Sequence, residues 1–113
     1  MSKKKLYKKV SKLYVIKCYD DKESFIKIGI TNYDVTYRFK DLPYRFKILY
    51  VVTMKKPKIE YYESLLHRRF LKYSYKPIKY FSGYTECFKG VDDDRIKKEL
   101  IYYKNYLLKN KQL

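Results

Sequence analysis

The chain has 113 residues, with 28 Lys and Arg against 12 Asp and Glu and a formal net charge of +16. That length supports one hydrophobic core and excludes two, and so large a surplus of positive charge makes a polyanion, nucleic acid first, the natural partner. No stretch approaches the roughly 18 consecutive apolar residues of a membrane helix, so neither a span nor an anchor is expected.

In chain order, residues 1–11 read as a basic flexible arm carrying Lys3, Lys4, Lys5, Lys8 and Lys9. Residues 12–19 and 25–31 are rich in Ile, Val, Tyr and Phe and flank Asp20-Asp21-Lys22-Glu23, which predicts a β-hairpin. In its second strand Ile26, Ile28 and Ile30 share one face, expected to be core, and Lys27, Gly29 and Thr31 share the other, expected to be open for chemistry. Asn32 or Asp34 is placed to cap a short helix through Thr36–Leu42, ended by Pro43. Residues 46–53 are apolar at both alternating positions, which predicts a third strand covered on both faces. Pro57 then opens a long helix to about Tyr73, in which Ile59, Tyr62, Leu66, Phe70 and Tyr73 form one stripe, with Glu63 at its edge and His67 just beyond. Residues 74–90 hold Pro77, Gly83 and Gly90 and read as irregular backbone with room for a short strand. Asp92-Asp93-Asp94 starts a last helix to about Lys109, with Ile96, Leu100, Tyr103 and Leu107 as its stripe. The fold class is therefore α/β (α+β): a small three-stranded antiparallel sheet flanked by helices, a domain over 12–90, and an additional C-terminal helix over 91–113 packed on it.

The pieces Lys12-Leu13-Tyr14-Val15-Ile16, Phe25-Ile26-Lys27-Ile28-Gly29-Ile30-Thr31, Arg38 and Glu63-Ser64-Leu65-Leu66-His67, followed by Glu86-Cys87-Phe88, resemble in order the motifs of the GIY-YIG nuclease superfamily. The likeness covers residues 12–88 and is greatest to a branch common in phages and large DNA viruses. That resemblance implies that Tyr14 stands for the first-motif tyrosine, Arg38 for the catalytic arginine and Glu63 for the metal-binding glutamate, with Gly29 and Thr31 as motif positions. It implies Mg²⁺ as cofactor, with Mn²⁺ as a substitute, held by Glu63 or alternatively by Glu86, because a hard cation favours carboxylate oxygen and water. Lys27 stands where the superfamily has its second tyrosine, and its role is open between a phosphate clamp and a base of lowered pKa, with Tyr14 and His67 as the other base candidates. Without the resemblance, Tyr14 reads as packing, Gly29 as a bulge, and Glu63 with His67 as a solvated i,i+4 pair.

The resemblance and the charge together imply a metal-dependent DNA endonuclease of low intrinsic sequence specificity. A catalytically weakened nucleic-acid-binding module is the alternative, and an RNA-directed member or an inhibitor of a host nucleic-acid enzyme the third reading. Lys3, Lys4, Lys5, Arg68, Arg69, Lys72, Lys76 and Lys79 are placed to follow a phosphate backbone, which gives affinity without sequence choice. Tyr73, Tyr75, Tyr80 and Tyr84 interleave with these cations, to stack on unpaired bases or to seal the core. Cys18 and Cys87 have no CxxC spacing and fit a reducing compartment, the cytoplasm or nucleus of a host cell; with His67 they fall one ligand short of a zinc site. A monomer or weak homodimer is expected.

Overall fold

The computed structural model describes residues 10–109, so the arm lysines Lys3, Lys4, Lys5, Lys8 and Lys9 lie outside the described residues. Strands β1 (Val10–Tyr19) and β2 (Ser24–Thr31) form the expected hairpin, in which Tyr14 lies opposite Gly29 and Ile16 opposite Lys27. Because β1 begins at Val10, residues 10 and 11 belong to the sheet and not to the arm. Asp34 is the cap of the short helix α1 (Val35–Arg38), its carboxylate accepting from the backbone N–H of Thr36 at 2.9 Å and of Tyr37 at 3.3 Å. Strand β3 (Arg45–Lys55) then runs antiparallel to β1.

The sheet has four strands in the order β3-β1-β2-β4, all antiparallel, which corrects the expected three. The fourth, β4 (Cys87–Phe88), pairs with Lys27 and Ile26 and is too short to show a period in the sequence. The expectation that β3 is covered on both faces is also overturned. β3 is an edge strand whose register shifts where Val15 pairs with Tyr50 but Ile16 with Ile48, leaving Leu49 as an inserted residue. That bulge switches the face presented by the strand. Tyr50, Val52 and Met54 pack on one core while Phe46, of the same parity, packs on the other, and Ile48 and Val51 face outward, 41% and 39% exposed.

Helix α2 (Lys56–Arg69) follows β3 without a break and continues into a 3-10 turn over Leu71–Tyr73. Its N-terminus has Pro57 in the first turn and no side-chain cap. A missing cap costs about 1 kcal/mol, whereas Ile59, Tyr62, Leu66 and Phe70 are each fully buried, and burial of one such side chain stabilises by roughly 1.5–3 kcal/mol. The stripe therefore decides that this segment is helical. It lies on the sheet face of Leu13, Val15, Ile26 and Ile28. Helix α3 (Asp93–Lys109) adds Ile96, Leu100 and Leu107 to that core; Tyr62 Oη donates to the Leu100 carbonyl, and Arg69 pairs with Glu99 through Nε at 3.0 Å and Nη2 at 3.3 Å. Among the described residues no helix is long and apolar enough to cross a membrane.

The opposite sheet face, expected to be open, carries a second core: Tyr14, Ile16, Cys18 and Phe25 beneath Val35, Phe39, Tyr44 and Phe81. The buried carboxylate of Glu23, in the β1–β2 turn, fastens that cover. It accepts from the hydroxyls of Tyr44 and Tyr75 and from the backbone N–H of Ile78 at 3.2 Å. Burial works against its charge, but these donors prevail and hold the carboxyl below the ordinary value. Glu23→Gln, which removes the charge and turns a donor toward donors, is expected to cost about 2 kcal/mol at neutral pH. The advantage of the carboxylate is complete above the ordinary value of about 4.3 and shrinks as pH falls toward the lowered folded value. Urea unfolding of both proteins at neutral and acid pH checks this; a gap independent of pH would count against it.

Candidate active site

Lys27 is fully buried on β2, an arrangement that requires partners, since an unpaired ammonium would not stay charged in a core. Its Nζ donates to Tyr14 Oη on β1 and to Glu86 Oε1 at 2.9 Å. It also stands 4.8 Å from the Tyr14 ring centroid and 5.3 Å from that of Phe39. Burial opposes the ammonium, but the Tyr14 oxygen and the Glu86 carboxylate overcome it and raise the Lys27 pKa above the ordinary lysine value. Lys27 is thus a cation at neutral pH and holds its proton. Burial pushes the Tyr14 phenol up, with the Lys27 charge and hydrogen bond pulling against it.

Two glycines make room for this cluster. At Gly29 an added Cβ would overlap the Tyr14 hydroxyl and lie 2.7 Å from Tyr14 Cζ and 2.9 Å from Glu86 Oε1. Gly83, at φ +87°, lets the turn of residues 81–86 close over the ammonium; a Cβ there would lie 2.7 Å from Lys27 Cε and 2.8 Å from Nζ. The turn is held by hydrogen bonds from Tyr84 N–H to the Phe81 carbonyl and from Glu86 N–H to the Gly83 carbonyl, and it is joined to β2 by Ile28 N–H donating to the Glu86 carbonyl at 3.1 Å.

Helix α2 reaches the same β2 edge from the other side of the sheet. His67 Nε2 lies 2.9 Å from the Ile28 carbonyl. A carbonyl only accepts, so Nε2 carries the proton and Nδ1 is the ring's acceptor. The half-buried Glu63 carboxylate faces His67 Nε2 at 3.8 Å, beyond hydrogen-bond length, and accepts no hydrogen bond among the described residues. Burial raises its pKa; His67 and Lys27 pull against this while Glu86 adds to it, so the charges from both sides of the sheet act on one carboxylate.

The residues expected to meet the reacting phosphate therefore divide into two layers. Tyr14, 1% exposed, and Lys27, 0% exposed, form a closed floor, so neither the clamp nor the lowered-pKa base expected of Lys27 is what its surroundings provide. Glu63, His67, Glu86 and Arg38 retain access. Arg38, the last residue of α1, stands over the Phe39 ring at 5.3 Å and lines pockets on either side of itself. Thr31, at the end of β2, accepts from Tyr33 N–H at 3.0 Å and shapes the turn into α1. Of the expected phosphate contacts, Lys79 is tied to the Pro43 carbonyl at 3.2 Å and to Asp20 at 3.0 Å, and Arg69 is committed to Glu99. Arg68, Lys72 and Lys76 are exposed. The partnership of Glu86 with Lys27 and the part played by Gly83 were missed in the sequence; one of only three glycines, three residues before a carboxylate, was the available signal.

Among the described residues no group of three or more His, Cys, Asp or Glu is placed to hold a metal ion. Cys18 and Cys87 are buried, with thiols pushed up by burial to about 12, and do not offer thiolates to zinc. A carboxylate with no hydrogen-bond donor, such as Glu63, suits instead a hard cation that keeps most of its water and takes one or two protein oxygens.

Removing Glu86 would strand the Lys27 charge, so Glu86→Ala is expected to cost about 3 kcal/mol, whereas Lys27→Met, which removes the buried charge itself, should cost less. Denaturant unfolding of the two variants checks the order; equal losses, or a larger loss for Lys27→Met, would show that the pair is not what holds the floor.

The T5orf172 domain profile matches residues 12–102, from β1 into α3. No curated protein and no solved structure shows a match to the chain. The matched span takes in Tyr14, Lys27, Arg38, Glu63, His67 and Glu86, and the chain belongs to the T5orf172 domain family, a phage-associated domain found in an endonuclease context.

Proposed function

We propose that this domain is a metal-dependent DNA endonuclease of the GIY-YIG type with low intrinsic sequence specificity. The observation that carries the reading is the approach of Glu63 and His67 from one side of the sheet, and of Glu86, paired with Lys27 of β2 itself, from the other, to the same β2 edge at Ile28 and Gly29. A net charge of +16 and the family match support a nucleic-acid substrate.

In this mechanism Glu63 is the residue that would hold Mg²⁺, which when bound supplies positive charge against the scissile phosphate. Arg38 presents its planar guanidinium to the phosphate oxygens that gain charge in the transition state. His67, with Nε2–H fixed on the Ile28 carbonyl, accepts the proton of the attacking water at Nδ1. Glu86 and the Lys27 cation behind it keep the turn of residues 81–86 closed and Tyr14 in place, so Tyr14 positions and does not touch the substrate. Backbone contacts from Arg68, Lys72 and Lys76 hold the strand without reading its bases. If about five phosphates are neutralised, log K falls with log salt at a slope near −4 to −5.

The experiment is cleavage of supercoiled, linear, branched and single-stranded DNA with Mg²⁺ or Mn²⁺. Glu63→Gln and Arg38→Ala are expected to lower the rate about 10²-fold or more while binding in EDTA persists, since charge stabilisation of this kind is worth that much. His67→Ala should lose about 10²-fold, and Tyr14→Phe much less. Salt-sensitive binding without metal-dependent product from the wild type would instead identify a binding module that has lost turnover. A Tyr14→Phe defect as large as that of Glu63→Gln would move the base to Tyr14.

A further inference from the structure

Beside Arg38 lies a pocket of about 340 Å³ lined by the apolar Phe39, Leu42, Pro43 and Phe81 and by the exposed Tyr80, Asp41 and Ser82. Its size is at the lower end of small-ligand sites. Tyr80 is 79% exposed, with its ring 4.7 Å from that of Tyr84, so a large aromatic surface is presented to solvent where the core does not use it. Of the other tyrosines of this segment, Tyr73 accepts from Arg95 at 3.0 Å, Tyr75 donates to Glu23 and Tyr84 packs against the second core.

We infer that this pocket receives one unstacked nucleobase of a DNA strand whose phosphate lies against Arg38, an inference that rests on the reading of the domain as a DNA-acting one. The chemistry of the lining selects a base over a phosphate. Asp41 repels an anion but accepts from an exocyclic amine, Ser82 offers a hydroxyl, and the exposed Tyr80 offers a face on which any base can stack, with the buried Phe81 as apolar wall. Arg38 serves both subsites, because it also lines the neighbouring pocket of Thr31, Asn32 and Lys56, where a lysine and polar groups suit the sugar-phosphate chain. A base paired within a duplex cannot enter such a pocket. The substrate class is therefore DNA with bases outside the helix: single strands, branches, flaps or flipped nucleotides.

The test is fluorescence anisotropy in EDTA, where no cleavage occurs, with short single-stranded and duplex DNA bound to wild type and Tyr80→Ala. Tyr80→Ala is expected to weaken single-strand binding about tenfold, leave duplex binding and the salt slope unchanged, and, as an exposed residue, leave the melting temperature unchanged. Oligo-dC should bind tighter than oligo-dT, because cytosine offers an amine where thymine offers a carbonyl, and Asp41→Asn should erase that preference. Equal single-strand binding by wild type and Tyr80→Ala, or an equal loss on duplex, overturns the pocket while leaving the nuclease reading intact. Equal binding of oligo-dC and oligo-dT overturns the contact with Asp41. No binding of any DNA by wild type overturns both readings.

Discussion

A buried cation governs this structure. Lys27 lies on β2, an inner strand of the sheet, with no access to water, and the chain meets its charge with one carboxylate, one phenol and two aromatic faces. The carboxylate comes from a turn 59 residues away in sequence, so satisfying one ammonium fixes how the second half of the chain folds over the first. Gly83 is needed because the turn must pass against Nζ, and Gly29 because the Tyr14 ring and Glu86 converge on the space where a side chain would be. A pair of this kind adds little net stability compared with an apolar replacement, while losing one member is costly, which makes it a device for specifying one arrangement.

The sheet has a core on each face, and the candidate site occupies neither. It is proposed where both meet the outer edge of β2, just past the two residues paired with β4. There the Ile28 carbonyl is bonded to His67 and its N–H to the Glu86 carbonyl, one partner from each side of the sheet. The shortness of β4 is functional in this account, since a longer strand would pair the edge that the two carboxylates face. Glu63, its pKa raised by burial, accepts no hydrogen bond among the described residues and keeps partial access to water. A partly desolvated carboxylate of this kind is a candidate for function over structure.

The parts of this fold legible in the sequence were those with a regular period. The hairpin followed from β-rich runs around Asp20–Glu23, and the stripes Ile59-Tyr62-Leu66-Phe70 and Ile96-Leu100-Leu107 located two helices and their buried faces. β3 misled because its outward positions also carry apolar residues, Ile48 and Val51, and the inserted Leu49 shifts the alternation midway. The face of Lys27 and Gly29 was expected to be open because lysine is almost never fully buried, and the groups that bury it come from an irregular segment without a period. Motif spacing brought Tyr14, Lys27, Arg38, Glu63 and His67 into consideration together, but not their separation into a buried floor and an accessible rim. Lys79 and Arg69 likewise read as free cations until Asp20 and Glu99 were seen beside them.

The most direct test of the central claim is the ionisation of Lys27 itself, followed by NMR of its ¹⁵Nζ and ¹³Cε in wild type and in Glu86→Gln. The account predicts that Lys27 is an ammonium at neutral pH in the wild type, with a titration midpoint above the ordinary lysine value, and that the midpoint drops when Glu86 loses its charge. A neutral Lys27 amine at pH 7, or a midpoint indifferent to Glu86, would contradict it.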